Sequence, residues 1–167
     1  MVGEKSQRRM HQGTGSKVMA SNHWEILRMK IYLTVDGEPT GKGRPRFSNR
    51  GGFPRAYTPK KTKVYEDLIK DEYKACYPRF VFAPNRPLLL IVNAFMPIPK
   101  STTKKSRNSM IQGEARPIKK PDADNILKSV ADALNGVAYE DDKQVVSMTI
   151  NKYYSENPRT EIIIEEI

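Results

Sequence analysis

Two groups of acidic residues, one helix length apart, are the part of this sequence best suited to chemistry. Asp122 and Asp124 lie in the run Lys-Pro-Asp-Ala-Asp-Asn at 120–125, and the run Glu-Asp-Asp follows at 140–142. The chain as a whole has a formal net charge of +10, and these carboxylates repel the nucleic acid that such a charge attracts. Carboxylate oxygens are ligands that Mg²⁺ prefers, and a bound Mg²⁺ can act on a phosphodiester. The sequence therefore favours a metal-dependent nuclease.

The spacing of these residues predicts how they could converge. Pro121 disfavours helical backbone at the residue before it, so we expect a helix to begin just after the aspartate pair, capped by Asp122 or Asp124. Lys128 then projects from the helix face that carries Asp124. A strand that opens at residues 141–142 could return beside the start of the helix. Two carboxylates from one element and one from another would bind Mg²⁺, and Lys128 would stabilise developing charge on the phosphate.

Each of these features also has an ordinary structural explanation. An aspartate before a helix is more often a cap than a metal ligand. Lys128 and Asp132 could form an exposed ion pair four residues apart, and residues 140–142 could be a solvated turn. Any one feature alone favours these explanations. Only their combination in a basic chain makes the nuclease an equal alternative.

The rest of the sequence predicts one folded domain over residues 30–167, preceded by a disordered tail over residues 1–29, where no hydrophobic period emerges. The pattern indicates an α/β (α+β) fold: a small mixed β-sheet with two main helices and a short third helix. The first helix should bury an apolar face made of Val64, Leu68, Ile69 and Tyr73. The last two strands should form an antiparallel hairpin. The predicted strands are 31–35, 87–95, 144–153 and 160–165, and the predicted helices are 60–77, 101–112 and one from the acidic motif to the stop signal Asn135-Gly136.

Two basic segments precede the acidic motif: residues 39–65, which hold no acidic residue and read as a mobile loop, and residues 100–120. Lysines and arginines on loops suit a protein that holds the phosphates of several DNA arms and leaves the bases unread. We therefore predict that DNA phosphates bind Lys42, Arg44, Arg46, Lys104, Lys105, Lys119 and Lys120.

Composition also bounds the cellular setting. No apolar run approaches the ~20 residues that span a bilayer, so we expect no membrane partner. The chain has a single cysteine, which excludes an internal disulfide and fits a reducing, cytoplasmic location.

Taken together, the motifs resemble those of a known family. The pattern D-x-D-N-x-x-K at 122–128, followed by D-A-L at 132–134 and D-D-x-Q-V at 141–145, resembles the signature of RusA-type Holliday junction resolvases. The Gly-Arg-Pro-Arg run at 43–46 and the Tyr-Glu pair at 65–66 resemble longer members of that family. The resemblance covers the predicted domain and leaves the tail outside it.

This resemblance implies catalytic carboxylates at Asp122, Asp124 and Asp142 and an essential lysine at Lys128, with Asp141 as a neighbour of unassigned role. It implies Mg²⁺ as the metal, no small-molecule cofactor, and a homodimer that cuts two strands symmetrically across a four-way junction during DNA recombination and repair. Members of this family are common in phages and prophages. Two alternatives stay open: a metal-dependent nuclease acting on flaps or replication forks, and a non-catalytic protein that binds branched DNA.

Overall fold

The computed structural model describes residues 28–48, 53 and 55–167, so residues 1–27 of the predicted tail lie outside the described residues. Within them, no helix is long and apolar enough to cross a membrane. The elements in chain order are β1 (Lys30–Asp36), β2 (Arg46–Ser48), β3 (Arg55–Tyr57), α1 (Lys60–Cys76), β4 (Leu88–Pro97), α2 (Lys104–Ile111), α3 (Ala123–Leu134), a 3-10 turn (Asp142–Gln144), β5 (Val145–Ser155) and β6 (Arg159–Glu166).

Four strands form a mixed sheet in the order β1-β6-β4-β5. The pairs β1–β6 and β6–β4 are antiparallel, and β4–β5 is parallel. This sheet, with two longer helices and the short α2, confirms the predicted fold class. The predicted hairpin of β5 and β6 is wrong, because β4 lies between them. Strand β4 buries every second side chain, and a strand this apolar is best covered in a central position with a neighbour on each side.

The hydrophobic core lies between one face of this sheet and helices α1 and α3. Strand β1 alternates buried and exposed residues along its whole length, with Ile31, Leu33 and Val35 inside. Helix α3 buries Ile126 and Leu134, among others, and ends where the sequence predicts, since Gly136 has φ 70° in the left-handed region that favours glycine. The core thus fixes the start of α3 relative to the sheet.

Helix α1 buries a different face from the predicted one. Ile69 and Tyr73 are buried as expected, but Val64 is 58% exposed and Leu68 is 42% exposed. Thr62 and Tyr65 take the inner positions, because the Tyr65 hydroxyl pairs with Thr160 Oγ1 and Thr62 Oγ1 accepts a hydrogen bond from the Gly43 N–H. Side chains with polar atoms can be buried when those atoms are hydrogen-bonded. A search for apolar residues alone therefore misses such buried positions.

The basic segment between β1 and α1 also contains more regular structure than a mobile loop. Strands β2 and β3 pair antiparallel, with Arg46 opposite Tyr57 and Phe47 opposite Ala56. Phe47 and Tyr57 are both exposed. This two-stranded ribbon stands apart from the main sheet.

Ile69→Ala and Leu68→Ala test the observed face of α1 as a matched pair. Ile69 is fully buried, so its replacement leaves a cavity and should lower the free energy of unfolding by about 2–5 kcal/mol. Leu68→Ala should lower it by less than about 1 kcal/mol. Urea unfolding followed by circular dichroism measures both values, and equal losses would contradict the observed face.

Candidate active site

The aspartate pair lies at the start of α3. Asp122 occupies the N-cap position with φ −69° and ψ 149°, and the helix begins at Ala123, between the two aspartates and not after them as predicted. The Pro121 ring restricts its own φ and the residue before it, and it leaves Asp122 free to take the N-cap position. The Asp122 side chain makes no capping hydrogen bond, and both carboxylates are exposed. Asp122 therefore has the position of a cap without the contact that defines one.

Lys128 and Asp132 do not form the surface ion pair that was the ordinary alternative. Lys128 is exposed and has no hydrogen bond or ion pair with any described residue. The Asp132 carboxylate instead lies 2.8 Å from Lys42 Nζ. One turn of helix beyond Asp124, the Lys128 ammonium is therefore unengaged.

Lys42 is the centre of a three-residue charge cluster. Its Nζ lies 2.8 Å from Asp132 Oδ2 and also donates to Glu66 Oε1. Burial disfavours the charged ammonium, but the hydrogen bonds to Asp132 and Glu66 outweigh that effect and raise the pKa of Lys42. Phosphate binding by Lys42 stays a prediction, and its ammonium already has two carboxylate partners inside the chain.

The backbone around Lys42 packs directly on the acidic motif. The Lys42 N–H donates to the Asn125 carbonyl oxygen at 2.7 Å. A Cβ at Gly41 would lie 2.9 Å from the Pro121 Cβ and 3.0 Å from the Asn125 Cβ, so only glycine permits this approach. Between the two segments lies a cleft of about 760 Å³, whose lining includes Arg44, Lys61, Lys120, Asp122 and Asn125.

A residue that the sequence analysis did not single out positions the other side of the motif. Lys152, in β5, donates through Nζ to the Lys119 carbonyl oxygen at 2.7 Å and to the Pro121 carbonyl oxygen at 2.8 Å. These two bonds hold the backbone just before Asp122. No sequence pattern indicates this contact, because the two partners are more than thirty residues away along the chain.

The second acidic group has two aspartates with different roles. Asp141 caps the 3-10 turn: its side chain accepts from the Lys143 N–H, and Gln144 completes a capping box. The backbone hydrogen bond from Lys143 lowers the pKa of Asp141. Gln144 is buried and donates to the Ala83 carbonyl oxygen at 2.8 Å. Asp142 is exposed and takes no part in the cap, so it is the freer carboxylate of the pair.

Asp142 precedes the end of β5 that is remote from the start of α3. Burial, followed by the negative charges of Asp142 and Asp132, raises the pKa of Tyr139, whose hydroxyl donates to the Ala131 carbonyl oxygen near the end of α3. Strand β5 starts just after Asp142 and reaches the start of α3 only at Lys152, roughly 23 Å further along. The prediction that this strand passes beside the helix start is confirmed at Lys152, and the joint action of Asp142 with Asp122 stays a prediction.

The donor atoms fit Mg²⁺ in part. Asp122 and Asp124 offer hard oxygen atoms that have no partner within residues 28–48, 53 and 55–167, and Mg²⁺ commonly takes only one or two protein carboxylates. In the described part of the chain, no three acidic, histidine or cysteine side chains form a group that could hold a metal ion. The first pair thus suits the ion, whereas the set of three predicted ligands is not brought together by a single chain.

The other residues predicted to bind phosphate keep their charges unpaired. All six form no ion pair with any described residue. Their side chains are all exposed: Arg44, Arg46, Lys104, Lys105, Lys119 and Lys120. Their binding to DNA stays a prediction. Exposed and uncompensated cations are what such binding requires.

Lys42→Met tests the charge cluster. It should lower the free energy of unfolding at pH 7 by about 1–3 kcal/mol, because two carboxylates lose a charged hydrogen-bond partner. Since the folded-state pKa of Lys42 is raised above 10.5, this contribution is complete below pH 10.5 and is lost as the pH rises through the raised value. Urea unfolding at several pH values measures it. Lys63→Met, at an exposed position of α1, is the control and should change stability by less than about 0.5 kcal/mol.

Comparison with known proteins agrees with the motifs and the fold. The family model described as "Endodeoxyribonuclease RusA" matches residues 36–165. The "Uncharacterized protein YqaN" of Bacillus subtilis (strain 168) is 39% identical over 139 residues, which are 82% of this chain and 96% of that protein. The family match includes the start of α3, the 3-10 turn and Lys152. The chain belongs to the RusA endodeoxyribonuclease family.

Proposed function

We propose that this protein is a Mg²⁺-dependent, structure-selective endonuclease that resolves four-way DNA junctions by paired, symmetric cuts. The observation that carries the proposal is the pair of exposed, unpartnered carboxylates at the start of α3, one of which lines a cleft with Arg44, Lys61 and Lys120. Cations attract the phosphate backbone, and the carboxylates provide the site for a metal. A surface that only binds DNA gains nothing from the carboxylates, because they repel phosphate.

Each residue of the site has a part in the proposed hydrolysis. Asp122 and Asp124 would hold the ion, and the positive end of the α3 dipole stabilises their negative charge. The chemistry that a bound Mg²⁺ would supply is polarisation of the scissile phosphate and a lower pKa for a water molecule. The free ammonium of Lys128 stabilises the charge that develops on the phosphate oxygens. Lys152 keeps the backbone before Asp122 in place, and this fixes the position of the first carboxylate.

A homodimer fits both the substrate and the position of Asp142. Two cuts placed symmetrically on a two-fold branched substrate call for two sites related by two-fold symmetry. Within one chain, Asp142 precedes the start of β5, roughly 23 Å along that strand from Lys152, which contacts the backbone before Asp122. In this proposal, the partner subunit's Asp142 completes the site that Asp122 and Asp124 begin.

Flaps and replication forks present the same phosphodiester bond, and they serve as comparison substrates in the tests below.

A cytoplasmic location is part of the proposal, and the exposed free thiol of Cys76 fits a reducing compartment.

Asp122→Asn and Asp124→Asn test the metal-binding pair. Loss of a residue that only orients a metal ligand costs about 10–100-fold, so loss of a ligand should reduce junction cleavage in Mg²⁺ by more than about 100-fold. Junction binding should stay the same or tighten, because a charge that repels phosphate is removed. Synthetic four-way, flap, fork and duplex DNA measure cleavage and selectivity.

Asp71→Asn, which removes an exposed carboxylate from α1, is the matched control and should cleave like the unmodified protein. Full cleavage by Asp122→Asn would exclude the proposed site, and equal cleavage of flaps and junctions would exclude junction selectivity.

A mixed dimer tests whether Asp142 acts across subunits. Asp122→Asn and Asp142→Asn chains carrying different affinity tags are co-expressed, and the heterodimer is purified through both tags. If the partner subunit's Asp142 completes each site, the heterodimer has one intact site and should nick junctions, although each variant homodimer is inactive. A heterodimer as inactive as both homodimers would show that the two residues act from the same chain.

A further inference from the structure

The cleft beside α3 contains a lysine that the proposed reaction does not use. Lys61 lies in the first turn of α1 and lines the same cleft as Arg44, Lys120 and Asp122. It reaches the cleft from α1, whereas Lys120 and Asp122 come from the segment that leads into α3. The cleft thus has cationic side chains from three separate parts of the chain and a carboxylate among them.

No carboxylate in the described part of the chain neutralises these cations. Arg44, Lys61 and Lys120 are exposed and form no ion pair with any residue in the described ranges. Their neighbour Lys42 shows the contrast, since it is held by two carboxylates. Glu38 also lines the cleft, but it lies in an exposed position without an ion-pair contact to the three. A concave surface with several free cations concentrates a polyanion.

The first turn of α1 gives an independent indication. Its N-cap is Pro59, no side chain caps it, and it contains no acidic residue. Three lysines, Lys60, Lys61 and Lys63, instead occupy the turn. Cations at the positive end of a helix dipole are unfavourable, and free N–H groups there favour an anion. An anion beside this turn would pair with the lysine charges and accept from the free N–H groups. The cleft is where such an anion can bind.

We propose that this cleft holds consecutive phosphates of one DNA strand, and that Lys61 is a phosphate-binding residue of the site. This inference rests on the proposed function, because the strand that passes Lys61 and Arg44 is the strand that Asp122 meets. Lys61 binds a phosphate next to the one at the carboxylates. It positions the strand and takes no part in bond breaking.

Lys63 offers a control within the same helix turn. It carries the same charge and is exposed, but it does not line the cleft. Two residues along an α-helix are rotated by roughly 200°, so Lys63 projects from a different side of α1. A general effect of charge at this end of the helix acts on both lysines, whereas a contact in the cleft involves Lys61 alone.

The experiment measures the affinity of Lys61→Ala, Lys63→Ala and the unmodified protein without Mg²⁺, over a series of salt concentrations. The ligands are a labelled four-way junction and a labelled single-stranded 12-mer. Each lysine–phosphate contact contributes about 0.9 to the slope of log K against log salt on duplex DNA and about 0.7 on a single strand. Lys61→Ala should lose about that much slope on both ligands, Lys63→Ala should keep the original slope, and Lys61→Arg should restore it.

Equal slopes for Lys61→Ala and Lys63→Ala would overturn the inference, and so would a loss confined to the junction, since one strand alone should fill the cleft. Junction cleavage by the unmodified protein in Mg²⁺ is assayed in parallel. If cleavage fails while the Lys61 difference persists, the proposed reaction is wrong and the phosphate site stands. If cleavage occurs without a Lys61 difference, the strand follows another path.

Discussion

An ammonium group held between two carboxylates is the contact on which the geometry of this protein depends. Lys42 comes from the segment after β1, Glu66 from α1 and Asp132 from α3, so one cluster joins the three segments around the cleft. Removing charges from water costs free energy, and mutual attraction offsets that cost only while all partners are present. The cluster therefore specifies an arrangement chiefly through the penalty for breaking it. The Gly41 contact and the Asn125 hydrogen bond then bring the backbone against the aspartate motif.

Local patterns in the sequence located the elements well but did not determine their neighbours. The β-rich run of β1 and the glycine that ends α3 act within a few residues, and the predicted strand and helix end both appear in the structure. Strand β5 pairs with β4 because the most apolar strand takes a central position with a neighbour on each edge. That position is a property of the whole sheet. The buried face of α1 was misassigned for a related reason. Thr62 and Tyr65 are buried because distant residues satisfy their hydroxyl groups.

The same division applies to the site. Asp122, Asp124 and Lys128 belong to one short motif, and all three are exposed, with no side-chain partner among the residues that the structure describes. The difference between Asp141 and Asp142 is also local, since it follows from a capping box that spans four residues. Lys42 and Lys152 could not be found in this way. Their partners are distant in sequence. The sequence alone does not distinguish a lysine that binds carboxylates or carbonyl groups from a lysine that binds phosphate.

The way Gly41 and Lys42 are fastened has a mechanical consequence. The wall that they form is attached to α3 through Asn125 and Asp132 and to α1 through Glu66, so it cannot swing aside without breaking contacts on two helices. Because the Gly41–Lys42 segment at the edge of the cleft is held in place, the bound DNA has to bend to fit. Duplex DNA resists curvature over about 150 base pairs, whereas the arms of a branch point pivot freely. For the proposed function, this stiffness favours DNA whose arms can pivot over a continuous duplex, and it does so without contacts to the bases.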